Sequence, residues 1–217
     1  MMRKTCFFQK SCAQFLGRFA TLVPIVILGT GYSLTFGQTF EASVSAGEQL
    51  ENNANLGTAV VSALNGYVVT YGLTNGFNLN FRATLNTWKF FGHEFGYAYN
   101  RTHLDELPSV NFGGMAVHQG FYDFLGYALP QGSRMRPFAA VGVHFSNYVP
   151  PGETVSGGQG QNKFGVQYGG GVKLKIAGPW GIRFDVHQFT NGKPFNIPGA
   201  SGWIRQTEIS GGVDFML

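Results

Sequence analysis

The chain has 217 residues, of which only 12% are charged and 15% are aromatic, with 32 Gly, 9 Pro and 21 Phe. A charged share about half the usual one, with so much glycine, argues against a coiled coil, a disordered tail or an ordinary cytosolic helical domain. The formal net charge of +4 disappears once it is located. Four of the 15 Lys and Arg residues, Arg3, Lys4, Lys10 and Arg18, precede residue 38, and none of the 11 Asp and Glu residues does, so residues 38–217 balance to zero. A nucleic-acid binder needs a basic surplus to neutralise phosphate, so that class is set aside.

Residues 1–37 have the parts of a secretory signal peptide. A basic region leads into the apolar run Phe19 to Leu28, and Thr35 and Gly37 put small groups at −3 and −1 of a cleavage after Gly37. The run is too short to span a ~30 Å hydrocarbon layer comfortably, and Pro24 interrupts it. A retained N-terminal anchor is the alternative. Both cysteines, Cys6 and Cys12, fall in this segment, so the exported chain is expected to contain neither a disulfide framework nor a catalytic thiol.

Beyond residue 37 no stretch has 18 uninterrupted apolar residues, and period-2 alternation dominates. In residues 77–86, Phe77, Leu79, Phe81, Ala83 and Leu85 alternate with Asn78, Asn80, Arg82, Thr84 and Asn86, which a strand places on opposite faces. The same reading gives eight strands, at about 62–73, 76–86, 90–100, 119–129, 136–146, 163–176, 180–189 and 205–217. Residues 119–129 and 136–146 are apolar on both faces. Residues 39–48 could replace the first strand, or pair beside it. A turn at 87–89 would set Asn86 opposite Phe90 and Arg82 opposite Glu94, and Asn75-Gly76 reads as a two-residue hairpin turn. Connections at 87–89, 130–135 and 177–179 are short, whereas 101–117, 147–162 and 190–203 read as long loops. Strands of 9–14 residues with short turns at one end and long loops at the other suit an outer-membrane barrel.

Alternation alone does not say which face is outside. A soluble lipocalin-like barrel or a secreted β-sandwich would bury the aromatic face; a membrane barrel inverts this. Three features favour inversion. Glycines concentrate opposite the aromatic face, where a narrow lumen needs small residues. The polar face carries both signs of charge, with Arg82, Lys173 and Arg183 against Glu94, Asp185, Glu208 and Asp214, which can pair across a lumen. Trp88 and Trp180 sit beside short turns and Trp203 beside a long loop, as interfacial girdles require.

The C-terminal two-thirds also resembles a known family. Met135-Arg136-Pro137-Phe138, Tyr168-Gly169-Gly170-Gly171-Val172-Lys173, Gly181-Ile182-Arg183-Phe184-Asp185, Asn75-Gly76-Phe77-Asn78 and Ile209-Ser210-Gly211-Gly212-Val213-Asp214-Phe215 resemble, in order, short motifs of small bacterial outer-membrane β-barrels of the OmpA-like type. The resemblance spans about residues 75–217. It implies membrane lipid, lipopolysaccharide and the barrel-insertion machinery as partners, although the chain closes on Phe215-Met216-Leu217 where the family has a terminal aromatic. No wall-binding periplasmic domain is implied.

Signals for chemistry are thin. The histidines His93, His103, His118, His144 and His187 show no helical ligand spacing, so no metal or cofactor is expected. His187-Gln188-Phe189-Thr190-Asn191-Gly192 is similar to the His-x-Ser-Asn motif of lipid A deacylase barrels, with one extra residue and Thr for Ser. Positions i and i+3 of a strand face opposite ways, so His187 and Thr190 cooperate only if the strand has ended. The expectation is an all-β, eight-stranded antiparallel up-and-down transmembrane barrel. Its organisation is a signal peptide at 1–37, an arm or extra strand at 38–61 and the barrel at 62–217. Its place is the bacterial outer membrane and its role structural, adhesive or loop-binding, with lipid A hydrolysis or a narrow pore as alternatives.

Overall fold

The computed structural model describes residues 39–52, 55–61, 67–107, 110–153, 160–195, 197 and 201–217. The expected signal peptide lies outside the described residues. Within them there are ten strands and no helix: β1 (Thr39–Glu51), β2 (Asn55–Val61), β3 (Tyr67–Leu73), β4 (Gly76–Trp88), β5 (Phe91–Leu107), β6 (Val110–Tyr127), β7 (Met135–Val149), β8 (Gln161–Ala177), β9 (Trp180–Gly192) and β10 (Trp203–Met216). Eight close an antiparallel cylinder in the order β1, β4, β5, β6, β7, β8, β9, β10 and back to β1. β2 and β3 form a hairpin attached to the outer half of β5 through Thr70–Leu107 to Leu73–Leu104.

The first wall strand is therefore β1, the alternative at residues 39–48, and the expected strand at 62–73 does not close the cylinder. Of its residues 62–66 lie outside the described ones, and the rest form β3. β1 fits the wall because Glu41, Ser43, Ser45 and Gln49 point inward while Phe40, Ala42 and Val44 face out. Its small residues make that alternation shallow in hydropathy, which hides it from a reading by composition.

The Asn75-Gly76 turn is also corrected. β3 and β4 both pair with β5, so they run in line, joined by an irregular step at Thr74-Asn75. The Thr74 amide donates to the His103 carbonyl at 3.1 Å, and Asn75 Oδ1 accepts from the Glu51 amide at 3.0 Å. Gly76 serves a close approach, not a reversal: a Cβ there would lie 2.0 Å from the Arg101 carbonyl oxygen.

The β4–β5 register is shifted from expectation. The turn is Lys89-Phe90 with an irregularity before Trp88, so Asn86 pairs with Gly92, Thr84 with Glu94 and Arg82 with Gly96. Residues 101–117 are mostly paired strand, not loop, because β5 and β6 continue past the other strands and pair with each other as far as Glu106–Val110. The remaining connections agree in polarity: 89–90, 128–134 and 178–179 are at one end, 150–160 and 193–202 at the other.

Burial settles which face is outside. Phe81, Phe95, Val141, Val143, Phe164, Val166, Phe184, Val186, Ile209 and Val213 are exposed around the cylinder, whereas Arg82, Glu94, Lys173, Arg183, Asp185, Glu208 and Asp214 are buried within it. A water-soluble protein does the reverse. The apolar belt meets lipid, and closure leaves the belt without an unpaired sheet edge. A charge planted on the belt is costly: Val141→Arg, mid-belt on β7, is expected to lower stability in lipid by roughly 2–4 kcal/mol. Urea unfolding in vesicles reads this directly, and an unchanged midpoint would mean that Val141 does not face lipid.

Candidate functional site

The lumen is filled in layers. Its centre is Arg183 on β9, whose Nη1 and Nη2 donate to Glu94 Oε2 and Oε1 at 2.6 and 2.8 Å while Nε donates to Asp185 Oδ2 at 2.7 Å. Arg82 on β4 completes the cluster. Its Nη2 donates to Glu208 Oε1 at 2.9 Å and its Nη1 to Ser45 Oγ at 2.8 Å, with Asp185 Oδ2 at 3.3 Å and Glu94 Oε1 3.4 Å from Nε. Thr84 donates to Glu94, and Asn78, Asn80 and Ser210 to Glu208. These charged side chains are wholly buried, and each makes at least two hydrogen bonds, with Arg82 Nε and Asp185 Oδ1 the atoms left without one.

Lys173 and Asp214 lie outside that cluster. Lys173 Nζ pairs with Glu41 Oε2 at 2.5 Å, and Asp214 accepts from Ser43 Oγ. Glu41, Arg136 and Asp123 also line the lumen, and reading the sequence missed all three. Glu41 sits on the strand taken for an arm. Arg136 and Asp123 belong to strands that are apolar on both faces, because this quarter of the lumen is aromatic: Phe121, Tyr127 and Phe138 point inward beside them. The rings cover cations, with the Arg136 guanidinium 3.6 Å from the Tyr127 centroid and that of Arg183 5.1 Å from Phe138. The tip of the Phe121 ring sits against Gly96, where a Cβ would come within 2.0 Å of Cζ.

His187 points into the lumen between Asp123 and Asp185, 4.0 and 3.9 Å away. Thr190 lies on the opposite face of β9, which runs unbroken to Gly192, so the structure does not bring the pair together. Among the described residues no group of three His, Cys, Asp or Glu is placed to hold a metal. Trp88 and Trp180 face outward at the short-turn end and Trp203 at the opposite end; Trp180 packs edge-on against Phe215 at 4.9 Å.

Toward the long-connection end amides and hydroxyls replace the ion pairs, with Glu51 the acidic residue among them. The Tyr148 hydroxyl bonds Asn191 and Gln206 at 3.1 and 3.2 Å, Gln206 donates to Glu51 at 2.7 Å, and Gln119 donates to Ser146 at 3.1 Å. Above them Leu56, Leu73, Met115, Val117 and Ile204 form a buried apolar cap, with Leu104, Phe195 and Ile197 against it.

A closed eight-stranded wall with a lipid-facing belt and a packed polar lumen decides the class. The chain has the fold of small bacterial outer-membrane β-barrels. Solved structures agree. OprG from Pseudomonas aeruginosa superposes with a TM-score of 0.59 at 11% identity, over 82% of this chain and 95% of that one. Neisserial surface protein A gives 0.51 at 13% identity, over 82% and 96%. No protein-family model matches the sequence, and no curated protein matches it. Together with the outward apolar belt, the fold places the barrel in the outer membrane.

Removing one partner of the central cluster strands the others without water. Arg183→Leu leaves Glu94 and Asp185 short of their main donor and is expected to cost about 3–5 kcal/mol. On an unheated gel the folded band should convert to the unfolded one at a clearly lower temperature. An unshifted conversion would mean that Arg183 contributes nothing net.

Proposed function

We propose that this barrel is a closed, non-conducting scaffold whose outer end binds a partner. One observation carries the reading: the lumen is occupied along its axis, by ion pairs at 0% side-chain exposure in the centre and by the apolar cap at the long-connection end. An eight-stranded wall has an interior just wide enough for side chains, and here they are joined to one another. The buried network of Arg82, Glu94, Arg183, Asp185 and Glu208 serves as structural glue, with Lys173–Glu41 and Asp214–Ser43 as further ties. Trp88, Trp180 and Trp203 mark the two belt margins and anchor the cylinder at the interfaces.

Long connections face outward in barrels of this kind. The β2–β3 hairpin and the outer halves of β5 and β6 then form a raised wall above the membrane, a rigid platform for adhesive or loop-mediated contact. Lipopolysaccharide surrounds the outer half of the belt, and the barrel-insertion machinery is the partner during assembly. The opposite facing of His187 and Thr190 supports a binding role over lipid hydrolysis, and the filled lumen supports it over a pore.

Purified protein in planar bilayers should give no steady conductance. Replacing residues 55–73 by a short turn should leave a heat-modifiable folded band, since the central cluster is untouched. It should abolish binding of barrel-displaying cells to matrix-protein and glycan arrays. Steady single-channel currents from the full-length protein, or array binding indifferent to the shortened hairpin, would sink the reading.

A further inference from the structure

The belt is not smooth all round. Across β6, β7 and β8 its outer wall carries a groove of about 550 Å³ lined by Gly120, Tyr122, Val143, Phe145 and Phe164. Register sets Phe145 beside Gly120 and Phe164 beside Phe145, with Tyr122 and Val143 side by side one step further into the belt. Gly120 faces outward with the exposed Phe124, four residues on along the same strand. A Cβ built on Gly120 would meet nothing within 4 Å, so no neighbour fills the space its missing side chain leaves. The walls are braced. Phe145 packs on Phe164 with centroids 5.2 Å apart and Tyr122 on Phe95 at 4.9 Å, while the Tyr122 hydroxyl bonds His93 Nδ1 at 2.6 Å. The shape therefore stands before any guest arrives, and filling it costs little ordering.

The groove lies in the outer half of the belt. Gly120 is next to Gln119, beyond which the inner face of β6 turns to Val117 and Met115. One step outward, in register, His118, Asn147 and Asn162 form a polar row on the outer wall. The Tyr97 hydroxyl holds His118 through Nδ1 at 2.5 Å, and Asn147 donates to the exposed Asn162. Further out, the exposed Arg101 of β5 lays its guanidinium over Gly114 of β6, roughly 20 Å along the strand from Gly120 by strand rise. Outward, the wall thus passes from rings to amide and imidazole to guanidinium, the order of chain, linkage and phosphate in an amphiphile.

The hydrophobic effect does not fill such a groove, since lipid chains are as apolar as its walls. Packing does: fixed rings around an open floor gain dispersion contacts from a straight chain that a kinked one supplies less well. The polar row suits the hydroxyl and amide linkages of a glycolipid better than the bare esters of a phospholipid. We infer that this groove binds one saturated acyl chain of an outer-leaflet glycolipid of the lipid A class, with His118 and Asn162 meeting its linkages and Arg101 its phosphate. The site deepens the scaffold reading and rests on its orientation, with the long connections outward.

The folded full-length barrel in nanodiscs of dioleoyl-phosphatidylcholine tests it. Bisphosphorylated lipid A is titrated in while NMR follows the Gly120 amide and the Val143 methyls, and saturable shifts are expected at both. Dimyristoyl-phosphatidylglycerol, with saturated chains but no sugar, should bind about tenfold more weakly. Gly120→Leu fills open space, so a heat-modifiable folded band is expected, and lipid A affinity read at the Val143 methyls should fall about tenfold. Gly126→Leu, on the same face of β6 at the short-turn end and with equally open surroundings, should leave it unchanged. Arg101→Gln should weaken lipid A about threefold and leave dephosphorylated lipid A unaffected. Replacing residues 55–73 by a short turn leaves this wall in place, so lipid A binding should survive it, and the groove and the partner-binding reading fail in different experiments. Absence of saturation, equal binding of the phosphatidylglycerol, or undiminished affinity in Gly120→Leu overturns the inference. An equal loss in Gly126→Leu, or an Arg101→Gln effect that ignores the phosphates, overturns it too.

Discussion

Arg183 makes three short charge-assisted hydrogen bonds to two carboxylates, inside a cylinder whose outer wall is in hydrocarbon. Much of the architecture depends on that cluster being complete. Hydrocarbon outside removes the usual drive to bury apolar side chains, so the lumen must cohere by polar contact. Desolvating several ions costs several kcal/mol each, and only mutual pairing with full hydrogen bonding offsets it. The pairs are also non-local. Arg183 on β9 meets Glu94 on β5 on the far side of the ring, and Arg82 on β4 meets Glu208 on β10 past the intervening β1, so the cluster ties together strands that no backbone ladder joins. Backbone ladders join neighbours around the ring; these side chains brace it through the middle.

How legible this was in the sequence depends on chemical contrast between the two faces. β4 alternates Phe, Leu and Phe with Asn, Asn and Arg, and its faces are readable at once. β9 and β10 are nearly as clear. β1 alternates Ala, Val and Ala with Ser, Ser and Gly, a difference too small to register, so a wall strand passed for an arm and Glu41 went unseen. β6 and β7 fail for the opposite reason. Their inward faces carry Phe121, Leu125, Tyr127 and Phe138, because cations packed on rings fill space as well as ions packed on ions. Two-sided apolar character there marks an aromatic quarter of the lumen. The register error at β4–β5 has a third origin. Turn length and an irregularity before Trp88 shift the pairing by two residues, and neither leaves a trace in hydropathy. The shift preserves facing, since a displacement of two keeps the same side inward, which is why Arg82 and Glu94 still meet as diagonal neighbours.

The two mouths are built differently, and the difference follows from their neighbours in sequence. The short-turn mouth is closed by tight reversals that leave little chain to cover it. Its inward residues remain charged: Glu41, Arg136 and Lys173. The long-connection mouth has chain to spare, and residues 193–202 bring Phe195 and Ile197 against the cap. Solvent and small ions can therefore approach the charged layer from one end, and meet apolar side chains at the other.

The cap also shows where the membrane stops. Along β10 the inward positions run Asp214, Ser210, Glu208, Gln206 and then Ile204, while the outward ones run Val213, Ile209, Thr207 and then Arg205. Between Thr207 and Ile204 the polarity of the strand reverses: the apolar residue moves inside and the charge moves out. β6, whose inner face is mixed along the belt, becomes wholly apolar there only past Gln119, at Val117 and Met115. In lipid, apolar side chains lose nothing by facing out and ions must hide. In water the ordinary hydrophobic drive returns, at about 25 cal/mol per Å² of apolar surface removed from solvent. One strand crossing both media must therefore change phase where it crosses the boundary. The Ile204-Arg205-Gln206-Thr207-Glu208-Ile209 run has apolar residues at an even and then at an odd position. That broken alternation is a mark of the outer margin of the belt written in the sequence itself.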